Sequence, residues 1–105
     1  MTEQEFRRFV RDVLTDLFDQ IDELDTDESD PVLSDGVVKV DFERGGTFVL
    51  SQQVPVQELW LSANRRAWHF RYEDGAWLER DSGEAMLPLL SGLFAEKLGL
   101  VVAFS

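Results

Sequence analysis

Residues 46–62 read Gly46-Thr47-Phe48-Val49-Leu50-Ser51-Gln52-Gln53-Val54-Pro55-Val56-Gln57-Glu58-Leu59-Trp60-Leu61-Ser62. Two alternating runs flank a break at Val54-Pro55. In Thr47–Gln52 the apolar Phe48 and Leu50 share one face. In Glu58–Ser62, Leu59 and Leu61 share a face, and Glu58, Trp60 and Ser62 point the other way. A side-chain period of two marks a strand with one buried side. Proline has no N–H for a ladder, so the run must break there. The stretch is therefore strand, break, strand.

The same pattern extends in both directions. Upstream, a short strand at Val32–Ser34 meets Asp35-Gly36, the dipeptide of a type I′ hairpin. Val37–Glu43 follows, with Val38, Val40 and Phe42 on one face and Lys39, Asp41 and Glu43 on the other, and Gly45-Gly46 makes the next turn. Downstream, Ala67–Glu73 leads through Asp74-Gly75 into Ala76–Glu79. This gives about six short antiparallel strands in a meander.

The flanks are helical. Phe6, Phe9, Val10, Val13, Leu14, Leu17, Ile21 and Leu24 recur at spacings of three and four over residues 3–24, as on one face of a helix. Phe18 lies off that stripe. Thr2 with Glu5 has the spacing of a capping box. A second stripe, Leu87, Leu90, Leu93, Phe94 and Leu98, predicts a helix over 84–98, with Pro88 in its first turn and Gly99 as its stop. Leu100–Phe104 is an apolar tail that must pack somewhere. The fold class is α+β: a two-layer sandwich with the N- and C-terminal helices on one face of an antiparallel sheet, in a single domain over 1–105.

The charge is unevenly placed. The chain has a formal net charge of −11. Its first 43 residues hold 14 Asp/Glu against 4 Lys/Arg, and the other 62 hold 7 against 6. Residues 25–30 are a polar connector. From Asp12 to Asp35 there are ten acids and no Lys or Arg. Asp12, Asp16, Asp19 and Glu23 fall opposite the apolar stripe of the first helix, where like charges destabilise it. If that helix packs beside the first strands, its acids join Asp35, Asp41 and Glu43 in one ledge. Such a field attracts cations or a basic partner. Carboxylate oxygen suits hard cations. With no His or Cys nearby, binding would be weak, open and multi-site. An EF-hand read from Asp25 fails, because Asp30 stands where glycine is needed and Gly36 where glutamate is needed.

Other functions are disfavoured. There is no cysteine and one histidine, so neither a thiolate metal site nor a catalytic triad can form. His69 reads as a residue of the sheet surface. A pI near 4.3 argues against nucleic acid. Arg7, Arg8 and Arg11 read as solvated surface, and a small two-layer domain is expected to offer no pocket. The acidic N-terminus predicts no signal peptide, and no apolar run approaches a membrane span, so a cytoplasmic protein is expected. Trp60, facing away from the covered side, reads as an interface anchor. From charge alone, a rival reading is an acidic decoy that fills a partner's basic groove independently of any metal ion.

The chain resembles the frataxin family, most closely its bacterial branch, over essentially its whole length. The resemblance rests on residues 46–62, with their Gln-x-Pro break and Trp60-Leu61-Ser62, on Trp68-His69-Phe70, and on Trp77 followed by Asp81-Ser82-Gly83-Glu84. The acidic first helix and first strands complete it. It implies an iron-binding accessory protein of iron–sulfur cluster assembly, not an enzyme. Such a protein docks on an IscS-like cysteine desulfurase and near an IscU-like scaffold, modulating sulfur transfer or supplying iron. Asp16, Asp19, Asp22, Glu23, Asp25, Asp27 and Asp30 match the family's ridge, which binds Fe2+ or Fe3+ weakly and admits other divalent cations. Trp60 matches its exposed tryptophan, and Gln53 and Pro55 its preceding turn. Partner contact is expected from Trp60, Gln53 and Glu58 on the sheet and from Asp12, Asp41 and Glu43 on the acidic surface. Glu58 and Ser51 depart from the family, which often has Gln and Asn there. A monomer is expected, with self-association driven by iron.

Overall fold

The computed structural model describes residues 1–105. Helix α1 spans Glu3–Asp22. Its first turn is closed by the capping box: the Glu5 N–H donates to Thr2 Oγ1 at 3.1 Å and the Thr2 N–H to Glu5 Oε1 at 2.9 Å. Two of the helix's orphan donors are thereby satisfied. Phe6, Val10, Leu14, Leu17 and Ile21 are its buried residues. Phe18 is half-buried against the same core.

Six strands follow: β1 (Ser29–Ser34), β2 (Val37–Phe42), β3 (Thr47–Gln53), β4 (Glu58–Ala63), β5 (Arg66–Glu73) and β6 (Ala76–Glu79). They pair in sequence order as one antiparallel meander. Asp35 and Gly36 have φ of 49° and 76°, and Asp74 and Gly75 have 50° and 86°, as type I′ turns require. Between β3 and β4 the chain makes a single 3₁₀ turn, Val54–Val56, and Gln57 reverses it with a left-handed φ of 52°.

Two differences from the sequence reading matter. The strand β1 begins at Ser29, so Asp30 and Pro31 are strand residues, not connector. Pro31 stands opposite Val40, and its missing N–H is tolerated because β1 is an edge strand. The β4–β5 turn is Asn64-Arg65, with φ of 51° and 63°. It adopts left-handed geometry without glycine, which is why composition did not mark it.

Helix α2, Met86–Leu98, ends at Gly99 in the left-handed region. Both helices cover one face of the sheet, and 22 buried apolar residues from helices, strands and tail form one core. Phe94 of α2 meets Phe42, Phe48 and Phe104 edge-on at 5.6, 5.4 and 5.1 Å. The tail is fixed through Phe104, whose N–H donates to Ser91 Oγ at 2.9 Å, and through reciprocal bonds between Gln20 and the Ser105 backbone. The other sheet face carries no covering layer.

Candidate functional site

Burying one side of α1 forces its acids outward. Asp12, Asp16, Asp19, Asp22 and Glu23 are all exposed, as are Asp25 and Asp27 in the connection that follows. The chain then enters β1, where Asp30 stands opposite Asp41 of β2. Packing of α1 against β1 brings helix, connection and strand edge side by side. Asp41 and Glu43 are exposed there too.

The ledge is open. No three acidic or histidine side chains converge closely enough to hold an ion on their own. Neighbouring polar groups engage a few members. Gln20 Nε2 donates to Asp16 Oδ2 at 2.8 Å, Thr47 Oγ1 to Asp41 Oδ1 at 2.8 Å, and Arg44 Nε to Glu28 Oε1 at 2.8 Å. Asp19, Asp22, Glu23, Asp25, Asp27 and Asp30 accept no side-chain hydrogen bond and join no ion pair. Chemically this is a row of solvated carboxylates: able to gather cations, without the geometry to select one.

The uncovered sheet face carries the second cluster. Trp60 of β4 is half-buried and stands between Ser51 of β3 and His69 of β5. Its ring meets the His69 ring edge-on at 4.8 Å. One residue pair along, Gln53 faces Glu58, and Glu58 faces Arg71. Trp60 Nε1 donates to Glu58 Oε1 at 2.8 Å, Arg71 Nε to Glu58 Oε2 at 2.6 Å, and Arg80 Nη1 to Glu58 Oε1 at 3.2 Å.

This corrects the place given to Glu58. Alternation put it on the uncovered face, and it is there, but it is 0% exposed. Trp60, Arg71 and Arg80 enclose its carboxylate, so it holds those side chains in place and presents no surface of its own. Burial pushes its carboxyl up, yet the bonds from Trp60 and Arg71 and the charges of Arg80 and Arg71 outweigh that and hold it below the usual glutamate value. The residues expected to meet partners thus fall into two groups: Trp60 and Gln53 beside this cluster, and Asp12, Asp41 and Glu43 with the acids. Arg71 and Arg80 lie in the same cluster as Trp60 through their bonds to Glu58. Strand parity signalled Arg71, but Arg80 lies beyond β6 and no pattern marked it.

Residues 1–100 match the family model described as a frataxin-like domain. The chain belongs to the frataxin family. The iron–sulfur cluster assembly protein CyaY of Azotobacter vinelandii (strain DJ / ATCC BAA-1303) is similar at 33% identity over 106 aligned positions, covering 99% of this chain and 96% of that protein. CyaY of Burkholderia mallei (strain SAVP1) is 33% identical over 69 residues, which is 66% of this chain and 64% of that relative's length. Among solved structures, the frataxin of Psychromonas ingrahamii superposes with a TM-score of 0.91 at 22% identity, over 100% of this chain and 99% of the other. A ferrous complex of trimeric frataxin from Saccharomyces cerevisiae gives 0.77 at 24%, over 87% and 86%. At those identities the structures show a shared frataxin fold.

Proposed function

We propose that this chain is an accessory protein of iron–sulfur cluster assembly. It takes up iron weakly along Asp16, Asp19, Asp22, Glu23, Asp25, Asp27 and Asp30. It docks the same ridge, with Asp12, Asp41 and Glu43 beside it, on a basic surface of a cysteine desulfurase. Iron is its cargo or signal, and it catalyses no reaction of its own. The carrying observation is the run from Asp12 to Asp35: ten carboxylates, nine of them exposed, with no Lys or Arg among them. The relatives named as cluster-assembly proteins support this reading over a general acidic decoy.

In this reading Trp60 and Gln53 meet the scaffold protein on the uncovered sheet face. The ridge mainly sets on-rate and register, while the tryptophan sets off-rate. Without iron the protein is monomeric, held apart by its charge. Iron on the ridge lowers that repulsion and permits oligomers, in keeping with the trimeric yeast relative. A cytoplasmic location fits a chain in which no helix is long and apolar enough to cross a membrane.

The test is the salt dependence of desulfurase binding. Between about 0.1 M and 1 M salt the screening length shrinks from about 10 Å to about 3 Å. The association rate should fall by about tenfold or more. Equal rates at both concentrations would remove the acidic docking surface from the account.

A further inference from the structure

Arg7, Arg8 and Arg11 do not stand on featureless surface. They line a groove of about 660 Å³ between the first half of α1 and the β1–β2 turn. Leu14 and Leu33 contribute its apolar lining, and the amides of Gln4 and Gln52 lie along it. That volume falls within the range of small-molecule sites, about 300–1,000 Å³. Three of the chain's ten Lys/Arg therefore converge on one concavity of a protein with net charge −11.

These arginines are weakly engaged. Arg8 forms no ion pair, Arg7 reaches Glu3 at 3.8 Å, and Arg11 reaches Asp12 at 4.0 Å. Exposed pairs at such distances contribute little, so the guanidinium groups remain open to a ligand. Asp35 is the one carboxylate lining the groove. Guanidinium forks match the paired oxygens of carboxylates and phosphates, and the glutamine amides add neutral donors.

We propose that this groove binds a small polyanion, a ligand with two or three carboxylate or phosphate groups. A long polyanion does not suit it. Asp12 and Asp16 follow directly along α1, and Asp35 closes the turn side, so an extended phosphate chain would run into the acidic ridge. A compact anion leaves its charge within the reach of the three arginines. The site is independent of iron and of desulfurase docking.

The experiment is a titration of the metal-free ¹⁵N-labelled protein with citrate and, separately, with pyrophosphate, against sodium chloride of equal ionic strength. Saturable shifts at Gln4, Arg7, Arg8, Arg11, Leu33–Gly36 and Gln52 are expected with at least one of the two anions. Binding should weaken by about tenfold or more in the R8Q/R11Q double variant, and circular dichroism should show its helix content unchanged. A response to citrate alone assigns a carboxylate ligand, and to pyrophosphate alone a phosphate ligand; either supports the site. Shifts that merely track ionic strength, or that persist unchanged in the double variant, overturn it. So does binding of a heparin fragment without response to either small anion.

Discussion

The Trp60 indole nitrogen lies 2.8 Å from the Glu58 carboxylate, which is itself fully buried beneath the residues it binds. A charged group on the uncovered face of a sheet would ordinarily be solvated. Here Arg71 and Arg80 complete its coordination, and the carboxylate they hold in place fixes the indole N–H in turn. The one large aromatic of the proposed scaffold face is thus oriented before any partner arrives. Preorganisation of that kind lowers the ordering cost of binding.

Trp60→Ala and Glu58→Ala should therefore separate function from stability. Trp60→Ala removes a half-buried ring from outside the core, and Glu58 keeps both arginines; the fold should persist while scaffold binding weakens. Glu58→Ala leaves the indole N–H and two guanidinium groups without their acceptor and should cost about 1–3 kcal/mol. The Trp60 indole resonance should broaden or move. Thermal melts with NMR check both; collapse of the Trp60→Ala fold would make Trp60 core.

Acid sensitivity should arise chiefly from the two buried glutamates, Glu58 and Glu79. Glu79 is 6% exposed. Burial raises its carboxyl, but the N–H groups of His69, Ser82 and Asp81 more than offset this and hold it low, the bonds being 2.9, 3.0 and 2.8 Å. Glu58 is likewise depressed. A depressed folded-state pKa gives stability that is present above the unfolded value, near 4.5, and lost as pH falls through the folded one. Stability should drop below about pH 4.5, and Glu79→Gln should flatten that drop. An unchanged acid profile in the variant would assign the sensitivity elsewhere.

Salt should stabilise this protein. The ridge from Asp12 to Asp35 repels itself in the folded state, and screening relieves that. The melting temperature should rise with sodium chloride, and rise further with millimolar Mg²⁺ at equal ionic strength. A melting temperature that falls or stays level with salt would show the ridge imposes no strain.

The tail should matter for stability. Phe104 is 8% exposed and packs on Phe94. Phe104→Ala should cost about 3 kcal/mol, the low end for such a truncation because the site lies at the core's margin. Gln20→Ala, which frees Ser105, should cost less. Denaturant unfolding measures both.

The fold was legible where local chemistry dictates it. Alternation about Phe48, Leu50, Leu59 and Leu61 places β3 and β4, and the two Asp-Gly turns place the strands on either side of them, without tertiary information. The start of β1 was not, because Asp30-Pro31 reads as a breaker and only pairing with Val40 and Asp41 makes it strand. The acidic face followed from helical period alone. Glu58 did not: parity gives the face a side chain occupies, and burial there depends on Arg71 and Arg80, which lie 13 and 22 residues further along the chain. The arginine groove was hidden for the same reason, since its second wall comes from β1 and β3.

The most direct test of the account is an anaerobic titration of ¹⁵N-labelled protein with Fe²⁺, followed residue by residue. The account predicts perturbation confined to residues 12–35 and the adjacent strand edge at Asp41 and Glu43, spread over several carboxylates, and moved in the same way by the desulfurase. No response to iron there, or a desulfurase footprint that avoids that surface, would contradict it and reduce the ridge to solvated charge.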